Sequence, residues 1–168
     1  EMCIRDSLPY YITSPVIMLL LESGIPVEAI TVMVQKEAAQ RLCAKVGTRQ
    51  AGAVTAAVQF YGKAELLFEV SRGSFMPSPN VDSAVIRIKP DKYYRSMVDD
   101  KDLFFKVVRG AFSQRRKTMV NSLSSVLGVP KSLLSECLEF CGIEKNIRAE
   151  QLSMEELILF ANRLKNVI

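Results

Sequence analysis

The sequence predicts an α/β sheet followed by a small all-helical domain. Three observations carry this. Short β-branched runs alternate with helical patterns up to residue 90, and only helical patterns follow. Between the two parts lies the polar stretch "DKYYRSMVDDK" at 91–101, which reads as a linker.

Along the first part, a strand ends at Leu8. Ser14 can cap a helix whose first residue is Pro15, and Gly24 stands where that helix should stop. "AITVMVQ" (29–35) is a short buried strand, followed at once by the helical "KEAAQRLCAKVG", which predicts a stop at Gly47. Residues 53–61 form a further helix. "AELLFEV" (64–70) and "SAVIRIKP" (83–90) are strands with no helix between them, so they are expected to pair antiparallel at the sheet edge. In the second part the helices are 102–113, about 115–127, 131–141 and 153–166. Gly128-Val129-Pro130 separates the middle two, and Ser153 with Glu156 makes a capping box.

A chain of 168 residues that is 49% hydrophobic and 24% charged can bury a core and does not read as disordered. The longest aliphatic run, Val16–Leu21, is far too short to span a bilayer, and no signal-peptide pattern opens the sequence. Cys3, Cys43, Cys137 and Cys141 show no C-x-x-C spacing and there is no histidine, so no metal site is expected. Cys137 and Cys141 lie four apart on a helix and can both face a core. The setting these features suggest is reducing and cytoplasmic.

The net charge is +4, and its placement matters more than its size. Residues 103–135 hold Lys106, Arg109, Arg115, Arg116, Lys117 and Lys131 and no acid, the usual footprint of a polyanion partner. At about 100° per residue, Lys106 and Arg109 share a face opposite Val107, Val108, Ala111 and Phe112. Arg116 and Lys117 would join that face if the helix ran on, but Ser113-Gln114 is a candidate break.

Two corners combine aromatics with prolines that lock the backbone: Ser7-Leu8-Pro9-Tyr10, and the loop from Phe75 through Pro77 and Pro79 to Ser83. An aromatic on a stiff loop is a base-stacking platform, and prolines leave carbonyls free to accept from a ligand amine. This suits methylation of an exocyclic adenine amine. That nitrogen is a poor nucleophile because its lone pair is delocalised into the ring. Accepting hydrogen bonds from both its hydrogens draws it toward tetrahedral geometry, once the base is out of its stack. A methyl donor held in line then needs mostly positioning. The bland alternative is that both corners are plain turns with their rings packed in a core.

"LPYYITSPVI", "VMVQKEAAQRL", "GSFMPSPNVDSAVIRI" and "AFSQRRKTMVNSL", in this order and followed by "RAEQLS", resemble the small-subunit ribosomal RNA adenine dimethyltransferases. The resemblance implies the C-terminal part of a Rossmann-like methyltransferase sheet (8–90), the linker, and a helical domain (102–168). It implies S-adenosyl-L-methionine as methyl donor and two adjacent adenines in the last hairpin loop of small-subunit RNA as substrate. The partner is then the small ribosomal subunit, and the protein acts as a monomer. In that family the first corner reads N-L-P-Y. Carried over, Leu8 belongs to the corner, Pro9 is the backbone acceptor and Tyr10 the stacking ring. Phe75 is the second ring, on the loop stiffened by Pro77 and Pro79. "QRRKT" adds Arg115, Arg116 and Lys117, with Asn121 in the same motif, to Lys106 and Arg109 as RNA contacts.

Ser7 departs from the family pattern, standing where Asn is expected, and is too short to reach the same point. None of the eight glycines makes a G-x-G, and the family's cofactor segments are absent, with Pro9 only bordering that site. The α/β half is therefore expected to be cut off at its front. "EMCIRDS" (1–7) is expected to be foreign junction sequence, and the chain alone to be inactive. Three other readings stand beside this one: a large-subunit adenine methyltransferase of the antibiotic-resistance type, a non-catalytic RNA-binding or ribosome-assembly factor, and a DNA amino-methyltransferase. Leu8 in place of a first proline, and the helical tail, argue against the last.

Overall fold

The computed structural model describes residues 3–7 and 12–168, and for 3–7 the backbone alone. The chain divides into two compact units. One holds the segments up to Ala44 and Ala57–Lys92, the other Lys45–Ala56 and Tyr93–Ile168.

The first unit is built on a four-stranded sheet of β1 (Cys3–Ser7), β2 (Ala29–Gln35), β3 (Gly62–Val70) and β4 (Ser83–Pro90), in the order β1-β2-β4-β3. Helix α1 (Thr13–Glu22) connects β1 to β2, which pair parallel, a βαβ unit. β4 runs antiparallel to both β2 and β3. The expected antiparallel pair therefore forms, but β4 is interior and β3 takes the edge. The composition explains the choice. β4 presents Ala84, Ile86 and Ile88, all fully buried, whereas β3 is mostly exposed with Glu65 and Glu69 along it. The register sets Ile30 against Ile88, Val32 against Ile86 and Val34 against Ala84, so these six share one face. Each of the five valines and isoleucines among them contributes roughly 1.5–3 kcal/mol on burial, and Ala84 less. Residues 3–7, set apart in the sequence as foreign, form β1 and pair with β2 along their whole length.

Helix α1 begins two residues earlier than its composition suggests. Its N-cap is Ile12, with no side-chain cap, so Ser14 and Pro15 sit inside the first turn. A proline is tolerated there because the first-turn N–H groups have no intrahelical partner. Gly24 stands just past the end, as expected. Helix α2 (Lys36–Leu42) stops at Cys43, short of Gly47. Beyond it Val46, 4% exposed, belongs to the other unit, and that packing overrides local helical propensity. The division between units falls within helix α3 (Ala53–Tyr61).

The second unit contains α4 (Lys101–Ala111), α5 (Met119–Leu127), α6 (Lys131–Phe140) and α7 (Met154–Lys165). Phe104, Met119, Leu123, Leu134, Leu138, Leu152 and Phe160 are fully buried in it. Gly110 lets α4 and α5 approach: a Cβ there would lie 3.0 Å from Leu123 Cδ2 and 3.4 Å from Val126 Cβ. The Ser153–Glu156 capping box forms, with Ser153 N donating to Glu156 Oε2 at 2.7 Å and Glu156 N to Ser153 Oγ at 3.2 Å.

The polar stretch 91–101 is bound rather than free. Asn162 Nδ2 donates to the Met97 carbonyl at 2.8 Å, Asp99 N to Asn162 Oδ1 at 3.0 Å, and Lys165 Nζ to the Asp99 carbonyl at 3.1 Å. Tyr94 Oη donates to Glu155 at 3.0 Å, and burial together with that bond pushes its phenol up to about 12. Its backbone groups at Met97 and Asp99 and the Tyr94 hydroxyl bind one face of α7, which no sequence periodicity announces. Among the described residues no helix is long and apolar enough to cross a membrane.

Candidate nucleic-acid interface

Sheet register alone brings the end of β1 and the second proline corner to one edge. Ser7 is the last residue of β1 and lies opposite Met33, two residues from the end of β2. Gln35, which ends β2, is opposite Ser83, which starts β4, and Ser83 is opposite Val70, which ends β3. The end of β1, the start of α2 and the loop 71–82 therefore share the carboxyl edge of the parallel pair. In open α/β sheets ligands bind in the crevice at that edge. Leu8, Pro9 and Tyr10 lie outside the described residues, as does the side chain of Ser7.

The loop 71–82 is held by its own polar groups. Asp82 accepts from Arg72 N at 2.9 Å through its carboxylate, and its carbonyl accepts from Lys36 N at 3.0 Å. Ser78 Oγ donates to the Arg72 carbonyl at 2.8 Å, and Gly73 N donates to Ser71 Oγ at 3.3 Å. A short 3-10 turn at Arg72–Ser74 leads into Phe75, whose ring is half-buried. Met76 is fully exposed, Pro77 exposed and Pro79 half-buried. Phe75 is thus placed, half-buried, on a loop held by its own hydrogen bonds.

Between this loop and α2 lies a cavity of about 440 Å³. Its charges are already partnered. Lys36 Nζ lies 2.7 Å from Glu69, whose carboxylate holds the ammonium above the usual lysine range, and Glu37 pairs with Arg41 at 2.7 Å. Gln35, Gln40 and Asn80 also line it, and their side-chain amides have no hydrogen-bond partner among the described residues. The sequence reading missed these three amides. Asn80 is legible as one polar residue of the second proline corner, beside Ser78 and Asp82. Gln35 and Gln40 join it through the fold.

In the helical unit Lys106 and Arg109 are exposed on α4 while Val107, Val108 and Ala111 are buried, as the helical spacing requires. The helix ends at Ala111, so Arg115, Arg116 and Lys117 stand in the turn before α5 and do not extend its face. Arg116 and Lys117 are exposed and carry no ion pair among the described residues. Arg115 differs: its Nη2 donates to the carbonyls of Arg49 at 3.2 Å and Ala51 at 2.9 Å. Asn121 Nδ2 donates to Thr118 Oγ1 at 2.9 Å, beside the N-cap of α5. Both side chains therefore have structural partners. Through Arg115 the exposed Lys45 and Arg49 join the same unit as the basic block, a link invisible in sequence because more than sixty residues intervene.

Among the described residues the cysteine thiols are held protonated by burial. Burial pushes Cys43 up to about 11 and raises Cys137 and Cys141 as well. Among the described residues no group of three or more His, Cys, Asp or Glu could hold a metal ion.

Solved structures give the class. A dimethyladenosine transferase from Plasmodium falciparum superposes with a TM-score of 0.79 at 26% identity, covering 94% of this chain and 64% of that one. The 23S rRNA methyltransferase ErmE superposes at 0.68 with 21% identity, covering 98% and 65%, a likeness of fold alone. The sheet and the helices thus have the fold of Rossmann-like methyltransferases. The chain matches the ribosomal RNA adenine dimethylases over residues 1–166 and belongs to that family. It is 45% identical over 161 residues to the ribosomal RNA small subunit methyltransferase A of Geobacillus thermodenitrificans (strain NG80-2), covering 94% of this chain and 55% of that protein. The chain therefore spans little more than half the length of this relative.

Proposed function

We propose that this chain supplies the base-gripping edge and the RNA-docking unit of an enzyme that dimethylates adjacent adenines in the 3′-terminal hairpin of small-subunit ribosomal RNA. The observation that carries the proposal is the register that sets the end of β1 and the loop of Phe75 at one sheet edge. Leu8, Pro9 and Tyr10 follow directly in sequence from that strand end. Pro9 then offers its carbonyl to the adenine amine, while Tyr10 and Phe75 take the faces of the base, with Pro77 and Pro79 stiffening the second platform. Ser7 can accept one hydrogen bond where the family Asn accepts with a longer reach.

The methyl donor is S-adenosyl-L-methionine, which supplies an electrophilic methyl group when bound. The described residues do not compose its cradle. No G-x-G turn follows a strand, and the Asp82 carboxylate is occupied by the Arg72 N–H. The contribution of this chain is on the RNA side, where Lys106, Arg109, Arg116 and Lys117 meet phosphates and position the hairpin. Arg115 and Asn121 support that surface through their own hydrogen bonds. The protein acts as a cytoplasmic monomer on the small subunit. The identity to a small-subunit enzyme, against a fold-only likeness to ErmE, favours this substrate over large-subunit RNA.

Binding of the 168-residue chain to the two isolated hairpins tests the reading. Tighter, salt-sensitive binding to the small-subunit hairpin, weakened by Arg116→Glu and Lys117→Glu, is expected. Equal affinity for a large-subunit hairpin, or binding unchanged by both substitutions, refutes it.

A further inference from the structure

We propose that the cavity between α2 and the β3–β4 loop is a second base pocket, which reads a nucleotide beside the adenine held at the first corner. The inference rests on the RNA reading above and adds a recognition site to it.

The argument starts from what the lining leaves unused. Lys36 is paired with Glu69 and Glu37 with Arg41, while the Asp82 carboxylate takes the Arg72 N–H. The Arg72 guanidinium is directed to the Asn80 carbonyl at 3.4 Å. The two cations of the lining, Lys36 and Arg72, are matched in number by its two carboxylates, Glu37 and Asp82, so the cavity does not present the uncompensated positive field that a phosphate requires. What remains are three primary amides, from Gln35, Gln40 and Asn80, with no partner among the described residues. An amide offers two N–H donors beside one carbonyl acceptor. That pairing matches the adjacent donor and acceptor on a base edge, which is why Asn and Gln read adenine. At about 440 Å³ the space falls within the range of small-molecule sites. The ligand chemistry that fits is neutral, planar and rich in both donors and acceptors, which describes an unstacked nucleobase.

Position separates this pocket from the first corner. β1, after which Leu8, Pro9 and Tyr10 follow in sequence, ends at one edge of the sheet, whereas the cavity opens where β2 ends and β4 begins, beside the loop from β3. Strands are spaced by about 4.8 Å, so the cavity lies roughly 5–10 Å across the sheet from the end of β1. A strand whose target base enters the corner can lay a neighbouring base over α2.

A double-mutant cycle between protein and RNA tests this. The probe is a synthetic hairpin with two adjacent adenines in its loop, in versions carrying an abasic ribose at each loop position in turn. Affinities are measured for the 168-residue chain and its Gln40→Ala, Asn80→Ala, Asn80→Asp and Tyr10→Ala variants, with melting curves to verify folding. Asn80→Asp keeps size and removes the amide donors. The loop position that couples to Tyr10→Ala marks the adenine in the corner. The expected result is about tenfold weaker binding by the Gln40 and Asn80 variants, abolished as a difference when one other loop base is removed. Equal weakening on every RNA, no weakening at all, or coupling at the Tyr10 position alone overturns the second pocket. Salt-sensitive binding of the parent chain to the hairpin in those cases leaves the RNA reading intact. Absence of binding by the parent chain refutes that reading and the pocket with it.

Discussion

The guanidinium of Arg115 donates to the carbonyl oxygen of Ala51 at 2.9 Å, and the same nitrogen reaches the carbonyl of Arg49 at 3.2 Å. A residue that composition assigns to RNA is thus also the clasp that ties segment 45–56 to the helical unit. Hydrogen bonds from a charged donor contribute about 1.5–3 kcal/mol when buried, and less for a group as exposed as this one. Arg115→Ala is expected to lower unfolding free energy by about 1 kcal/mol in urea titration and to speed trypsin cleavage at Arg49. Arg116→Ala and Lys117→Ala should leave stability within about 0.5 kcal/mol of the parent while reducing the salt dependence of RNA binding. Identical behaviour of all three would remove the distinction between clasp and phosphate contact.

Gly62 opens β3 opposite Pro90, where a Cβ would collide with the carbonyl oxygen of Lys89. Neither neighbour is a flexible side chain, so backbone has to move. Gly62→Ala is expected to cost about 1–3 kcal/mol, read as a lower denaturant midpoint at unchanged slope. A variant as stable as the parent would show that the β3–β4 pairing can shift freely.

Asp82 is the residue on which the second corner hangs, through its carboxylate to Arg72 N and its carbonyl to Lys36 N. Asp82→Ala keeps the second bond and removes the first. Trypsin should then cleave after Arg72 several times faster, with little change in global stability because the bond is exposed. Unchanged cleavage would mean that Ser78 and the prolines hold the loop unaided.

Burial raises the Cys43 thiol from an ordinary 9.0 to about 11. The native state then keeps a proton that the unfolded chain releases near pH 9, so this residue makes stability fall as pH rises between about 9 and 11. Below that window it has no effect. Cys43→Ala is expected to flatten the alkaline side of the stability profile, apart from a constant packing cost at all pH values. An alkaline slope identical to the parent's would contradict the burial argument.

Local chemistry made much of this protein legible. Strands 29–35 and 83–90, helix 53–61 and the Ser153–Glu156 box were readable because β-branched runs, helical spacing and capping pairs act within a few residues. The exposed face of Lys106 and Arg109 followed from spacing alone. Helix α2 came out shorter than its pattern because Val46 packs in the other unit, and the 91–101 stretch came out bound because α7 offers it Asn162, Glu155 and Lys165.

Four spaced motifs in the sequence carried the family without the fold. Tertiary structure alone decided that β4 lies inside the sheet with β3 at its edge. It also turned Arg115 onto the protein's own backbone and gathered Gln35, Gln40 and Asn80 into one cavity. The reason is physical. Motifs record chemistry confined to a few neighbouring residues, whereas strand order, clasps and cavities come from pairings across distances at which the chain carries no local signal.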